Sequence, residues 1–358
     1  KPRLPAEVVS ELMDYLDARF LADGQKASAK LFVQHPLQPF DRRYFDGGDP
    51  CLFSHDASWA IGQAEKSEPP FVDGPLNTAD EIEEIELGAL LSFFHNPARA
   101  FLTQSLGIRL PGEEDAPDDS EPFSLDGLSR WQLSDRLLRR GLDEKPLIDA
   151  ARRFAGEGQL PHGVVGEVQR ERLASRAEKL RGQVAPWLDN NPWRQPVPLD
   201  LAIGERRLTG SLDRVTDKGV IDFRVGRLRA VDRIALWIRH LVFALAVGQG
   251  ESVFIAEEET FRLRSIDKGE ARKQLADLLD LYAAGLHEPL RFFPQTAWDF
   301  INEKKDWESA FLGGYKSTGE ADDPAVRLVF RHIEALEDPF ERIARGIWEP
   351  VIACQEEA

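Results

Sequence analysis

Gly210-Ser211-Leu212-Asp213-Arg214-Val215 runs into a Thr216-Asp217-Lys218-Gly219 turn and continues as Val220-Ile221-Asp222-Phe223-Arg224. Just upstream, Leu199, Leu201 and Ile203 alternate ahead of a Gly204-Glu205 turn. Apolar residues alternating between such turns predict strands, and 197–225 reads as an antiparallel meander. If Thr216 to Gly219 form a four-residue loop, Val215 pairs with Val220. Asp213 then lies opposite Asp222, about 5 Å away at the β-carbons. Asp222 and Arg224, two residues apart, share a face. Two facing carboxylates repel unless a cation sits between them. A divalent metal is one solution and Arg224 is another. A different loop type slips the register by one residue and sends the aspartates to opposite faces.

The 358 residues suggest two domains at roughly 100–200 residues each, or one large one. A hydrophobic content of 42% supplies a core, and a formal charge of -17 excludes a uniformly basic nucleic-acid coat. No apolar run is long enough to span a membrane. Cys51 and Cys354 are too few for a disulfide framework or a zinc cluster, which fits a reducing, cytoplasmic setting. Lys1-Pro2-Arg3 carries no initiator Met and no signal segment, so the chain reads as a piece of something longer.

Along the chain, Ser10 is predicted to cap a helix carrying Leu12, Tyr15, Leu16 and Phe20. An extended arm over 36–79 is rich in Pro and Gly yet holds Phe40, Tyr44, Phe45, Phe53 and Trp59. Exposing those rings is unfavourable, so the arm packs either on another surface or on its own domain. Residues 80–105 read as helix, with the acids of Asp80–Glu86 in its first turn, where the macrodipole favours them. Residues 112–121 read as an acidic, mobile loop, and 124–192 as helical. A helix over 231–247 is apolar nearly all round and predicted to be buried. Strands at 253–255 and 261–263 precede a helix near 268–285 and further helix to the end. No Gly-x-x-x-x-Gly-Lys-Ser/Thr phosphate loop occurs, which argues against an NTPase.

Asp213 followed by Asp222-Phe223-Arg224 resembles the restriction-endonuclease-like nuclease core, with an Asp on one strand and Asp/Glu-x-Lys on the next. That resemblance implies carboxylates holding Mg²⁺, a Lys serving the attacking water, and an upstream helical Glu or His. Glu167 in Gly163-Val164-Val165-Gly166-Glu167 matches the helical position best. Arg224 stands where Lys belongs, and its permanently charged planar fork is a poor substitute. A wider set of motifs resembles the exodeoxyribonuclease V gamma chain (RecC) family. They are His35-Pro36-Leu37-Gln38-Pro39-Phe40 with Tyr44-Phe45, Leu90 to Phe101, Leu128 to Leu133, Leu160-Pro161-His162-Gly163, Trp237 to Val242 and Pro339 to Ala344.

The resemblance runs in order over about 5–352 and implies an α+β chain. It would hold a restriction-endonuclease-like core (mixed sheet flanked by helices) with extensive helical additions. Residues 1–35 would end a preceding helicase-like region, 36–79 form the arm, and 80–358 the nuclease-like domain. The function implied is a noncatalytic part of the RecBCD helicase–nuclease, which works in double-strand-break repair by homologous recombination. There it would scaffold the beta and alpha chains (RecB, RecD) and wall the path of double- and single-stranded DNA. No cofactor is expected, and Glu167, Asp213, Asp222 and Arg224 would be vestigial. The rivals are an active Mg²⁺-dependent nuclease using Glu167, Asp213 and Asp222, and an acidic adaptor unrelated to DNA.

Four arginines next to that site, Arg224, Arg227, Arg229 and Arg233, are candidate phosphate contacts, against pairing with the chain's own acids. His240 reads as a hydrogen-bonded core histidine, His162 as structural, and Trp131 and Trp237 as core.

Overall fold

The computed structural model describes residues 5–56, 58–59, 71–72, 74–76, 82–110, 132–134, 136–138, 147–157, 159–304, 307–314, 318–330 and 338–356. The chain divides into two units, Lys1–Pro69 and Pro70–Ala358. Trp131, Leu128, the 112–121 loop and residues 77–81 lie outside the described residues.

In the first unit, helix α1 (Glu7–Arg19) begins after Ala6, so Ser10 lies inside the helix and does not cap it. Its apolar side is open: Val8, Leu12 and Tyr15 are each more than half exposed. An Asp23-Gly24 turn with both residues at positive φ joins β1 (Leu21–Ala22) to β2 (Gln25–Lys26). Asp-Gly is the short-range signal for that hairpin, and the sequence reading passed over it. Helix α2 (Ala27–Leu31) is tied back to α1 where Ser28 donates from its amide and hydroxyl to Asp17, at 2.8 and 2.7 Å. Those bonds hold the Asp17 carboxyl below its ordinary range. In the arm, Tyr44 stacks on His35 at 5.9 Å and donates to the Pro36 carbonyl at 3.4 Å.

The second unit opens on β3 (Glu84–Glu86), where the sequence suggested the first turn of a helix. Tertiary pairing overrides the helical pattern: Ile85 is buried and β3 runs parallel to β5, Ile85 opposite Leu208. Helix α3 (Leu87–His95) follows at once, then α4 (Pro97–Ala100), whose Arg99 amide donates to the Asn96 side chain. Helices α5 (Leu147–Gly156) and α6 (Gly163–Leu188) precede β4 (Val197–Ile203) and β5 (Arg206–Leu212), an antiparallel hairpin around Gly204-Glu205 as predicted.

The meander stops there. Arg214 takes a left-handed φ of 56° and ends the ladder after Leu212, leaving one antiparallel bridge between Val215 and Val220. Strand β6 (Ile221–Phe223) is buried at all three positions and enters a second sheet. Helix α7 (Ala230–Ala246) then crosses over to β7 (Ser252–Ile255), which pairs parallel with β6 and antiparallel with β8 (Thr260–Leu263). A strand buried on both faces favours this parallel, helix-linked arrangement.

Alternation sorts β6 and β7 between two cores. Ile221, Phe223, Val253 and Ile255 pack on α5 and α6 with Phe154, Leu173, Ala177 and Leu180. Phe254 and Phe261 face α7 and its Trp237 and Leu241. The sheet is thus mixed and covered by helices on both sides. The remaining helices α8 (Lys268–His287), α9 (Pro294–Ile301), α10 (Trp307–Leu312), α11 (Pro324–Phe330) and α12 (Asp338–Cys354) extend the larger core. Among the described residues no helix is long and apolar enough to cross a membrane.

Two backbone approaches fix the turns around this sheet. A β-carbon on Gly219 would stand 1.6 Å from the Glu251 carbonyl oxygen, and one on Gly250 would stand 2.1 Å from that of Lys218. The Glu251 amide donates to the Lys218 carbonyl at 2.8 Å. Gly219→Ala therefore forces the loops apart, and urea unfolding is expected to show a loss of about 2 kcal/mol or more.

His240 is a core histidine, as its setting suggested. It is fully buried, stacks on Trp237 and meets the Ser252 hydroxyl at 2.9 Å through Nδ1. Burial lowers its pKa from 6.5 to about 4. The unfolded chain therefore binds one more proton between those values. The stability from a neutral His240 is complete above about pH 6.5 and is lost as pH falls toward 4, at roughly 1.4 kcal/mol per unit. Denaturation at stepped pH should show that slope, and His240→Gln should flatten it.

Candidate functional site

The loop after β5, strand β6 and helix α7 enclose a cleft of about 560 Å³. Its wall includes Glu86, His95, Ser211, Asp213, Arg214, Asp222, Arg224, Arg229, Asp232 and Arg239. Asp222 and Arg224 are two apart on the strand, and Asp232 and Arg239 are seven apart on the helix. Seven residues are two helical turns, so the helical pair also shares one face. The pairs meet with reversed polarity. Arg239 Nη1 donates to Asp222 Oδ2 at 3.2 Å, and Arg224 Nη1 donates to Asp232 Oδ2 at 2.6 Å.

Two further arginines complete the ladder. Arg214 donates to Asp222 Oδ1, and its guanidinium lies 4.7 Å over the Phe223 ring. Arg229, at the N-cap of α7, donates from its amide to Asp232 at 3.0 Å and from Nε at 3.3 Å. Each aspartate is thus held by two arginines, and Asp222 also accepts from the Phe223 amide at 2.9 Å.

This corrects the expected pairing. The Val215–Val220 register is realised but does not extend to Asp213 and Asp222, because the left-handed Arg214 intervenes and Asp222 is aligned with Phe254. Both aspartates line the cleft, Asp213 exposed and Asp222 buried. The cations bound to Asp222 are Arg214 and Arg239, whereas Arg224 serves Asp232. Glu167 is exposed on α6, which packs on the other face of the sheet, and does not line the cleft. Of the four candidate phosphate contacts, Arg233 is buried, paired with Glu259 and stacked 4.5 Å over Trp298. Arg227 is exposed outside the cleft wall.

Sequence reasoning missed Asp232 and Arg239. Their signal was the seven-residue spacing of opposite charges on a helix otherwise apolar nearly all round. His95 sits at the meeting of this cleft with a neighbouring one of about 620 Å³ that contains Glu320. Burial, and then the Arg229 charge, lower the His95 pKa. Burial likewise raises that of Glu320, although it accepts from the Gln295 and Thr296 amides and the Thr296 hydroxyl.

A Mg²⁺ ion does not fit here. Both oxygens of Asp222 already accept from guanidinium groups. Among the described residues no three carboxylate, imidazole or thiolate groups gather to hold a metal.

Comparison with known proteins gives a family. The RecC C-terminal domain family matches residues 82–305. The RecBCD enzyme subunit RecC of Escherichia coli K12 is 29% identical over 364 residues, covering 92% of this chain and 32% of that protein. The Mycobacterium tuberculosis counterpart is 28% identical, covering 87% of the chain and 29% of the relative. The Haemophilus influenzae one is 26% identical, covering 77% and 25%. The chain thus spans about a third of the length of these relatives or less.

The ladder makes unequal claims on the two aspartates. Asp222→Ala leaves Arg214 and Arg239 without their buried partner and should lower stability by about 3 kcal/mol. Asp213→Ala, at an exposed carboxylate, should stay within about 0.5 kcal/mol. Urea midpoints of the two variants read this directly.

Proposed function

From the premise that the chain belongs to the RecC C-terminal domain family, we propose that it is a noncatalytic part of a RecBCD-type assembly. It scaffolds the RecB and RecD chains and walls the DNA path during homologous recombination in the cytoplasm. The observation that carries the noncatalytic reading is the state of Asp222. A hydrolytic metal site needs carboxylate oxygens open to a cation that activates water, and here arginines occupy both. The mixed sheet with helices on both faces supports a restriction-endonuclease-like ancestry for residues 80–358, the chemistry having been replaced by ion pairs. Residues 1–35 are then the end of a preceding helicase-like region.

The scaffolding role rests on the first unit. Its exposed large apolar side chains, among them Leu37, Phe40, Phe53 and Trp59, are more surface than a free-standing protein leaves in water. They form the contact offered to the other subunits. The net charge of -17 keeps duplex DNA from binding tightly to the chain by itself.

Two measurements test this. Plasmid and single-stranded DNA incubated with the chain and Mg²⁺ or Mn²⁺ should remain uncut. Cutting that disappears in Asp213→Ala would establish the active-nuclease reading instead. Phe40→Ser with Phe53→Ser should weaken association with RecB and RecD by about 2 kcal/mol or more per buried anchor, while the melting temperature holds. A fall in melting temperature with association intact would place those rings in the unit's own core.

A further inference from the structure

We propose that the cleft between β5, β6 and α7 binds the phosphodiester backbone of a single strand, and that Asp222 and Asp232 act as built-in substitutes for phosphate when no strand is present. This rests on the reading of the chain as a wall of the DNA path and assigns the contact to particular side chains.

The layering of charge is the first support. The Asp222 side chain is 9% exposed, against 23% for Arg214 and 27% for Arg239. The Asp232 side chain is 13% exposed against 49% for Arg229. Arg224, 12% exposed, lies as deep as Asp232. Arg214, Arg239 and Arg229 stand to the solvent side of the aspartates they bind, so an approaching anion meets those three first. A guanidinium has five N–H groups, more than one carboxylate contact consumes. Its fork suits phosphate as well as carboxylate.

Backbone strain is the second. Arg214 is a non-glycine residue at a φ of 56°, a conformation that persists where the surroundings demand it. That turn sets its guanidinium against Asp222 at the cleft wall.

Two features shape what would bind. Glu86 and Asp213 are exposed at the rim, oppose any anion, and keep the affinity modest. Phe223 and Phe254 are buried, and the exposed His95 imidazole is the ring that the described cleft wall offers to a base. Recognition would run mainly through phosphates and ignore sequence. The recess favours a flexible single strand over a stiff duplex.

The experiment is fluorescence anisotropy of a labelled oligothymidylate with the full chain and its Arg229→Gln, Arg239→Gln and Glu86→Gln variants. Salt is stepped from roughly 50 to 200 mM, over which one lost phosphate contact lowers the single-strand salt slope by about 0.7. Both arginine variants should weaken binding by about threefold and flatten the slope by that amount, and Glu86→Gln should tighten binding. Arg229→Gln leaves Asp232 its bond from Arg224, so the variant keeps the α7 contact. Binding by the parent chain that none of the three changes would overturn the cleft assignment and leave the DNA-path reading standing. No binding even at the lowest salt would remove both. Competition by inorganic phosphate at the concentration of oligonucleotide phosphate would show a free-anion site and overturn the strand assignment.

Discussion

The reversed pairing of Asp222 and Arg224 on β6 with Arg239 and Asp232 on α7 is the constraint on which the second unit depends. Apolar packing presses a helix on a sheet but is nearly indifferent to sliding along it. A buried charge is not indifferent, because a displaced helix would leave carboxylates and guanidiniums facing apolar surface, at several kcal/mol per ion. Reversed polarity at the two rungs also excludes the opposite helix direction, which would bring like charges together. Such a lattice adds little net stability over an apolar contact, since desolvation offsets most of the attraction. What it supplies is register. The ladder places the N-cap of α7 and holds the Arg214 guanidinium at the cleft, while β3 and α3 bring Glu86 and His95 to its wall.

Much of the second unit was legible. The β4–β5 hairpin, the buried helix near 231–247 and the strands around 253 and 261 stand where periodicity put them. The error lay at Asp213–Asp222. Local alternation and a turn signal specify a hairpin, and one bridge of that hairpin exists. Nothing local shows that Ile221 and Phe223 face a core while Asp222 faces the cleft, or that β7, some thirty residues on, competes for β6. Parallel pairing is nonlocal by construction. The same reason explains why Glu84–Glu86 became a strand: its partner Arg207–Thr209 lies far along the chain. For the site, the residue types were right and the partners wrong. Arg224 was expected to bridge Asp213 and Asp222, whereas it pairs with helical Asp232 and the cations on Asp222 are Arg214 and Arg239.

The first unit has a different logic. Ala27 and Leu52 are its buried hydrophobic residues among those described. Domains of this size bury a smaller share of their surface than larger ones, roughly 60% against 75% at 300 residues. The family match begins at residue 82, beyond this unit, although the alignment to the Escherichia coli relative covers 92% of the chain. Among its described residues, then, this unit buries little apolar surface.

The interlocked turns at Gly219 and Gly250 bear on how this family could vary over time. Surface connections ordinarily absorb insertions at little cost. Here each turn leaves the other no room for a single β-carbon, and an amide of one is bonded to a carbonyl of the other. Neither could lengthen unless its counterpart changed in the same lineage. Length variation among descendants should therefore gather elsewhere, and these two turns should keep or change their lengths together.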